Sequence, residues 1–170
     1  MDYDRIALGN QEKISEKWKA TGDMDDIDMT LLNTLQKEGR ASLKNLAATC
    51  FISSPAVSAR LQRLERKGII QGYQGILDYK KMGYHIKAYV SLEVKPTDKP
   101  AFYPFIEACP NVLACDCVTG PYSMLLKVVF PSTDELDGFI GLLQKFGQTQ
   151  TQIVFSTPVA SRGLIQELGE

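Results

Sequence analysis

Histidine is nearly absent from this chain: among 170 residues His85 is the only one, and Trp18 is the only tryptophan. A Ser-His-Asp triad or a histidine-rich metal site therefore has little material to draw on. Long apolar runs are missing as well, and none approaches the roughly 18 residues that a membrane span needs. The first residues, Met1-Asp2-Tyr3-Asp4-Arg5, have neither the basic region nor the apolar stretch of a secretory signal. Four cysteines without such a signal (Cys50, Cys109, Cys115, Cys117) read as reduced cytosolic thiols. Neither sign of charge dominates, with 19 Lys/Arg against 20 Asp/Glu. The 44% of hydrophobic residues is enough to build cores and too much for a disordered chain. Taken together, these absences point to a soluble cytoplasmic protein that is neither a hydrolase nor a zinc enzyme, and no catalytic residue, cofactor, metal site or membrane partner is expected.

The balanced total hides an asymmetry. Residues 40–81 hold eight Lys/Arg and two acids, a net +6, whereas residues 82–170 hold six basic and nine acidic residues, a net −3. A basic module that meets a polyanion, joined to a module with another task, fits this split.

Residues 1–23 are polar, with Ile14 and Trp18 at helical spacing, and two readings stand: an extension, helical and frayed or disordered, or a start at Met24. A first helix is expected over residues 25–38. Ile27, Leu31, Leu32 and Leu35 recur on one face, three aspartates (Asp25, Asp26, Asp28) sit at the positive end, and Gly39 ends it. Ser42 caps a short helix with Leu43, Leu46 and Ala47, which stops near Cys50-Phe51-Ile52. Ser53 or Ser54 caps a third helix, with Pro55 in its first turn, that runs to Lys67 and ends at Gly68. Two short helices joined by a tight turn, the second one basic, describe a helix-turn-helix. Val57, Leu61 and Leu64 form the apolar stripe of that second helix. Ala59, Gln62, Arg63 and Arg66 are expected on the opposite face, with Pro55, Ala59 and Ser58 closest to base edges, Arg66 placed for backbone contact, and Ser54 in the same DNA-binding set. Lys44 completes the DNA-binding set. Ile69 to Asp78, with Gly72 and Gly75 at the bend, reads as a two-stranded wing.

From Tyr84 the period changes to that of strands. Residues 86–94 alternate, a helix carries Phe102, Phe105, Ile106 and Cys109, and strands follow over 112–118 and 122–130. Ser132 or Thr133 caps a helix with Leu136, Phe139, Ile140, Leu143 and Phe146 inside, and a last strand spans 149–159. The order βαββαβ is the ferredoxin-like pattern, one antiparallel sheet with both helices on one face, and the apolar content of the other face predicts dimerisation. Cys115 and Cys117 read as small buried side chains. His85, at a strand start, has no partner to make it a base. The fold class is α+β. The expected divisions are an extension (1–23), a winged helix-turn-helix (24–80), a linker (81–84), a ferredoxin-like domain (85–160) and a tail (161–170).

From Met24 to about Val159 the chain resembles the Lrp/AsnC (feast/famine) transcriptional regulators. The matching pieces are Asp25-Asp26-Ile27-Asp28, Gly39-Arg40-Ala41-Ser42, Ser53-Ser54-Pro55-Ala56-Val57-Ser58-Ala59-Arg60-Leu61 and Leu64-Glu65-Arg66-Lys67-Gly68-Ile69-Ile70. Tyr73, Leu77-Asp78, Pro110-Asn111-Val112, Val118-Thr119-Gly120 and Leu125-Leu126-Lys127-Val128-Val129 continue the match. The resemblance implies double-stranded DNA as partner, homodimers that pair through their sheets, and tetramers or octamers of those dimers at the nucleoid. It also implies an effector and assembly turn at Thr119, Gly120, Pro121, Tyr122, Ser123 and Met124, where relatives take amino acids. The family's Gly-Asp-x-Asp reads here Gly120-Pro121-Tyr122-Ser123, without either acid, which predicts weak or no amino-acid binding. Two other readings share the architecture. One is a sirohaem decarboxylase, which relies on His and Arg around a tetrapyrrole, whereas the second half of this chain holds only His85 and Arg162. The other is a DNA-wrapping nucleoid protein with little sequence preference.

Overall fold

The computed structural model describes residues 24–161, 163 and 164, so the expected extension (1–23) and most of the tail lie outside the described residues. The chain forms two compact units. One holds residues 24–76 with the described residues from Ala160 onward, and the other is Leu77–Val159. The division thus falls ahead of the expected linker at 81–84, for a local reason. The Met82 N–H reaches the carbonyls of Asp78 and Tyr79, the Tyr84 N–H returns to Tyr79, and Gly83 closes this turn at φ 93°. Residues 78–84 form a turn within the second unit.

The first unit consists of α1 (Asp26–Lys37), α2 (Leu43–Cys50) and α3 (Ser54–Arg66). Each helix begins on a side-chain cap. Asp25 accepts from the Asp28 N–H, Ser42 from that of Asn45 and Ser53 from that of Ala56, which satisfies donors that an uncapped terminus leaves orphaned. Leu31, Leu46, Ala47, Cys50 and Val57 close one core between the helices, with Leu61 and Ile52 packed at its edge. Met24, Met29 and Leu64 close a second with Ile69 and Ile70. Each fully buried leucine here contributes about 1.5–3 kcal/mol.

The two strands expected over 69–78 are not seen: among the described residues, no strand lies between α3 and Ile86. After Gly68 (φ 69°) the N–H groups of Ile69 and Ile70 both return to the Leu64 carbonyl, so these two residues fold back into the second core rather than extend. The Tyr73 hydroxyl donates to the Glu65 carboxylate (2.9 Å), and residues 71–78 run exposed. A lone two-stranded ribbon with two glycines has too little to bury to hold itself together.

The second unit runs β1 (Ile86–Leu92), α4 (Lys99–Glu107), β2 (Val112–Cys117), β3 (Met124–Phe130), α5 (Thr133–Leu143) and β4 (Thr149–Ile153). All pairings are antiparallel and the strand order is β2-β3-β1-β4, the ferredoxin-like arrangement. One sheet face supplies the core: Ala88, Val90 and Leu92 from β1, and Met124, Leu126 and Val128 from β3. Phe102 and Ile106 of α4 and Leu136, Phe139 and Leu143 of α5 meet them. Phe146 stacks edge-on against Phe102, with ring centroids 5.4 Å apart. Gly147 has to be glycine, because a Cβ there would stand 1.7 Å from the Glu93 carbonyl oxygen. The last strand is shorter than the expected 149–159. Ile153 pairs with Ala88 and the Val154 N–H still reaches Lys87, but β1 begins at Ile86, and a strand ends where its partner runs out.

Candidate nucleic-acid interface

Along α3 the burial pattern separates two faces. Val57 and Leu64 are buried and Leu61 is half-buried, while Pro55, Ala59, Gln62 and Arg66 are all exposed. Those four residues fall within one outward row of a 3.6-residue helix. Ser54 and Ser58 are half-buried beside it, and Lys44 is exposed on α2. Arg66 donates from Nε to the Gln62 carbonyl of its own helix (3.3 Å), which holds the guanidinium along the row.

Arg63 is not part of that row, which corrects the expectation that it lies opposite the apolar stripe. Its guanidinium is ion-paired to Asp28, a carboxylate with no exposed surface. Arg60 joins from the same side. Its Nη1 donates to Asp28 Oδ1 at 2.9 Å and to Asp25 Oδ2 at 2.7 Å. The remaining bonds close a capping box, with the Asp25 N–H on Asp28 Oδ2 (3.1 Å) and the Asp28 N–H on Asp25 Oδ1 (2.9 Å). Arg60 and Arg63 lie toward the buried edge of α3, and their long stems bend back to a charge that would otherwise be stranded in the core. This network joins the start of α1 to the middle of α3, and sequence reasoning missed it. The Asp-x-x-Asp spacing marked the helix start, but nothing in the sequence said that its second carboxylate would be buried.

The network also changes the electrostatics. Residues 24–76 hold seven Lys/Arg against five Asp/Glu, so this stretch of the first unit carries a net +2. The Asp25 and Asp28 carboxylates hold the Arg60 guanidinium in its charged form, raising its pKa further. Burial alone would raise the Asp25 carboxyl, but the Asp28 N–H and the Arg60 guanidinium outweigh it and hold the pKa below the ordinary 3.8. A depressed carboxylate stabilises the fold fully above its unfolded pKa and loses that contribution as pH falls through the folded value. Melting the protein across an acid series should therefore show this share of stability intact above about pH 5 and lost progressively below pH 4.

In the second unit the turn between β2 and β3 exposes Thr119, Gly120 and Pro121, half-buries Tyr122 and Ser123, and buries Met124. Gly120 has φ 116°, which favours glycine. The Ser123 hydroxyl is committed within the fold: it accepts from the Val94 N–H (2.9 Å) and donates to the Val94 carbonyl (3.2 Å). Its one proton is committed to Val94, and one acceptor lone pair remains. Cys115 is half-buried and burial pushes its thiol up, away from the reactive thiolate, while Cys117 is exposed rather than buried as expected. His85 is exposed just ahead of β1. Among the described residues, no three His, Cys, Asp or Glu side chains gather as metal ligands. No helix of the described residues is long and apolar enough to cross a membrane.

Two family models match in the order of the two units, a winged helix-turn-helix DNA-binding domain over residues 24–71 and an Lrp/AsnC ligand-binding domain over 87–164. The transcriptional regulator LrpC of Bacillus subtilis is 32% identical over 133 residues, which are 78% of this chain and 92% of LrpC. The chain belongs to the Lrp/AsnC family. Its fold is that of an Lrp/AsnC regulator as well: the solved structure of B. subtilis LrpC superposes with a TM-score of 0.76 over 81% of this chain and 99% of LrpC. The Mycobacterium tuberculosis regulator LrpA is 31% identical over 82% of this chain and 95% of its own length. A feast or famine regulatory protein of the same organism, solved in complex with L-methionine, is 31% identical with a TM-score of 0.75, over 83% of this chain and 98% of its own. This Lrp/AsnC chain is a DNA-binding transcriptional regulator, and its relatives carry that name rather than that of a tetrapyrrole enzyme.

Proposed function

We propose that α3 enters the major groove of operator DNA with the row Pro55, Ala59, Gln62 and Arg66 toward it. Ser54 and Ser58 flank its leading end, and Lys44 reaches the phosphate backbone. The observation that supports this most is the division of α3 itself, an outward row that is small, amide and guanidinium beside an inward stripe that is apolar. A glutamine amide pairs with adenine through two hydrogen bonds, and an arginine near the helix C-terminus meets phosphate. Arg63 acts indirectly, through Asp28. Gln62→Ala should cost about 1–3 kcal/mol on a matched duplex and less on mixed sequence, while Arg66→Ala weakens both alike. Fluorescence anisotropy on the two DNAs checks this, and unchanged binding in both variants would remove α3 from the interface.

The second unit assembles the regulator. The sheet face away from the helices carries Tyr89 and Leu125 between Lys87, Lys127 and Asp116, and it supports homodimers and, from them, tetramers or octamers. No catalytic step is involved, and the protein works on the nucleoid in the cytoplasm. The turn at 119–124 offers a ligand's ammonium group no carboxylate, and its one serine hydroxyl, already bonded twice to Val94, has a single lone pair left to accept. One missing hydrogen bond to a charged group lowers affinity by about 1.5–3 kcal/mol. Calorimetry against the twenty amino acids, methionine first, should show no micromolar binding. A micromolar titration would mean that the turn senses amino acids by another chemistry.

A further inference from the structure

Among the described residues the backbone takes a left-handed φ at four positions: Gly68, Gly83, Gly120 and Phe51. Three are glycine, which has no Cβ to clash there, and Phe51 (φ 54°, ψ 37°) is the exception. The turn between α2 and α3 demands this conformation. The Phe51 and Ile52 N–H groups close on the carbonyls of Ala48 and Ala47 (3.4 and 3.1 Å), which brings Ile52 onto the core. Glycine or asparagine meets that demand with less strain, and a phenylalanine in this region is an outlier. Nor does burial of the ring compensate, since Phe51 is 95% exposed. Ile76 and Phe155 are equally exposed, but neither occupies a left-handed position. The backbone of Phe51 closes the turn, but its side chain adds nothing there that glycine would lack, because it strains that backbone and its ring is bare. It stands three residues ahead of Ser54, the first residue of α3, at the end of the helix that carries Ser54, Pro55 and Ser58.

We propose that Phe51 is a DNA-contacting residue whose ring packs, on binding, against an apolar part of the operator, a deoxyribose face or a thymine methyl. The inference rests on the reading of α3 as the groove-entering helix. Strain that the fold does not use is most simply retained for a contact made outside it. The position favours DNA as that contact, because the ring lies between α2, which bears the exposed Lys44, and the leading end of α3, where Pro55 is also exposed. Thymine methyls are read by apolar side chains of this kind.

The test uses full-length Phe51→Gly and Phe51→Asn, with a duplex selected from a random-sequence library for tight binding to the unsubstituted protein. Both variants should melt at or above the temperature of the unsubstituted protein, since they relieve the left-handed strain, yet bind the duplex about tenfold more weakly. Phe51→Tyr, which keeps the ring, should restore binding. A loss confined to the selected duplex points to a thymine methyl, and an equal loss on mixed-sequence DNA points to sugar; both support the proposal. Binding within twofold in both variants overturns it. So does a lower melting temperature in both, which would mean that the ring supports the fold. A weaker affinity accompanied by a smaller particle in light scattering also overturns it, because the ring would then belong to a contact between copies. If the unsubstituted protein selects no duplex at all, the reading of α3 falls first and this proposal with it.

Discussion

Replacing Arg60 and Arg63 together by methionine should destabilise the N-terminal unit by about 3–5 kcal/mol, because it leaves the Asp28 carboxylate buried and without a cation. Methionine keeps most of the stem volume, so the loss reports charge rather than packing. Asp28 is fully buried, while the two arginine side chains keep 25% and 34% of their surface, so the carboxylate cannot turn to water but the guanidinium groups can. Adding Asp28→Leu to the double substitution should recover much of the loss, since an apolar trio needs no desolvation of charge. Urea unfolding of the three proteins decides the matter. A double variant that loses less than about 1 kcal/mol would place Asp28 in contact with water, contrary to its burial.

Affinity for DNA should fall about a hundredfold between 50 and 200 mM salt, a smaller drop than the basic segment alone implies. With Arg60 and Arg63 held by Asp25 and Asp28, Lys44 and Arg66 remain in each copy as phosphate contacts of the proposed interface. A dimer then makes on the order of four such contacts, and each contributes about −0.9 to the logarithmic salt slope. Anisotropy titrations at several salt concentrations give the slope directly. A slope near −4 fits this arrangement. One of −6 or steeper would mean that the internal arginines leave Asp28 for phosphate, and a flat response would mean that phosphates are not the partner.

What could be read from the sequence was what depends on neighbours along the chain. Caps at Ser42 and Ser53, the stripe Val57–Leu61–Leu64 and the alternation through β1 are local periodicities, and the structure shows each of them. The two short strands expected after α3 are not seen, because Ile69 and Ile70 find a core of their own. β4 was overestimated for the related reason that its length is set by where β1 begins. Arg63 misled because a helical wheel places a Cα, whereas a guanidinium reaches several ångströms to a charge 35 residues away in sequence. Ser123, read from the sequence only as part of the turn, also bonds Val94, a pairing across 29 residues that no spacing announces. In each case the misplaced residue was decided by a distant partner.

The most direct measurement of the central claim is a crystal structure of the full chain on a duplex of about 20–25 base pairs selected for tight binding. The expected complex has α3 in the major groove, with Gln62 at base edges, Arg66 on phosphate, and Arg60 and Arg63 still paired with Asp28. A complex in which another element fills the groove, or in which Arg60 and Arg63 have left Asp28 to bind phosphate, would contradict the account.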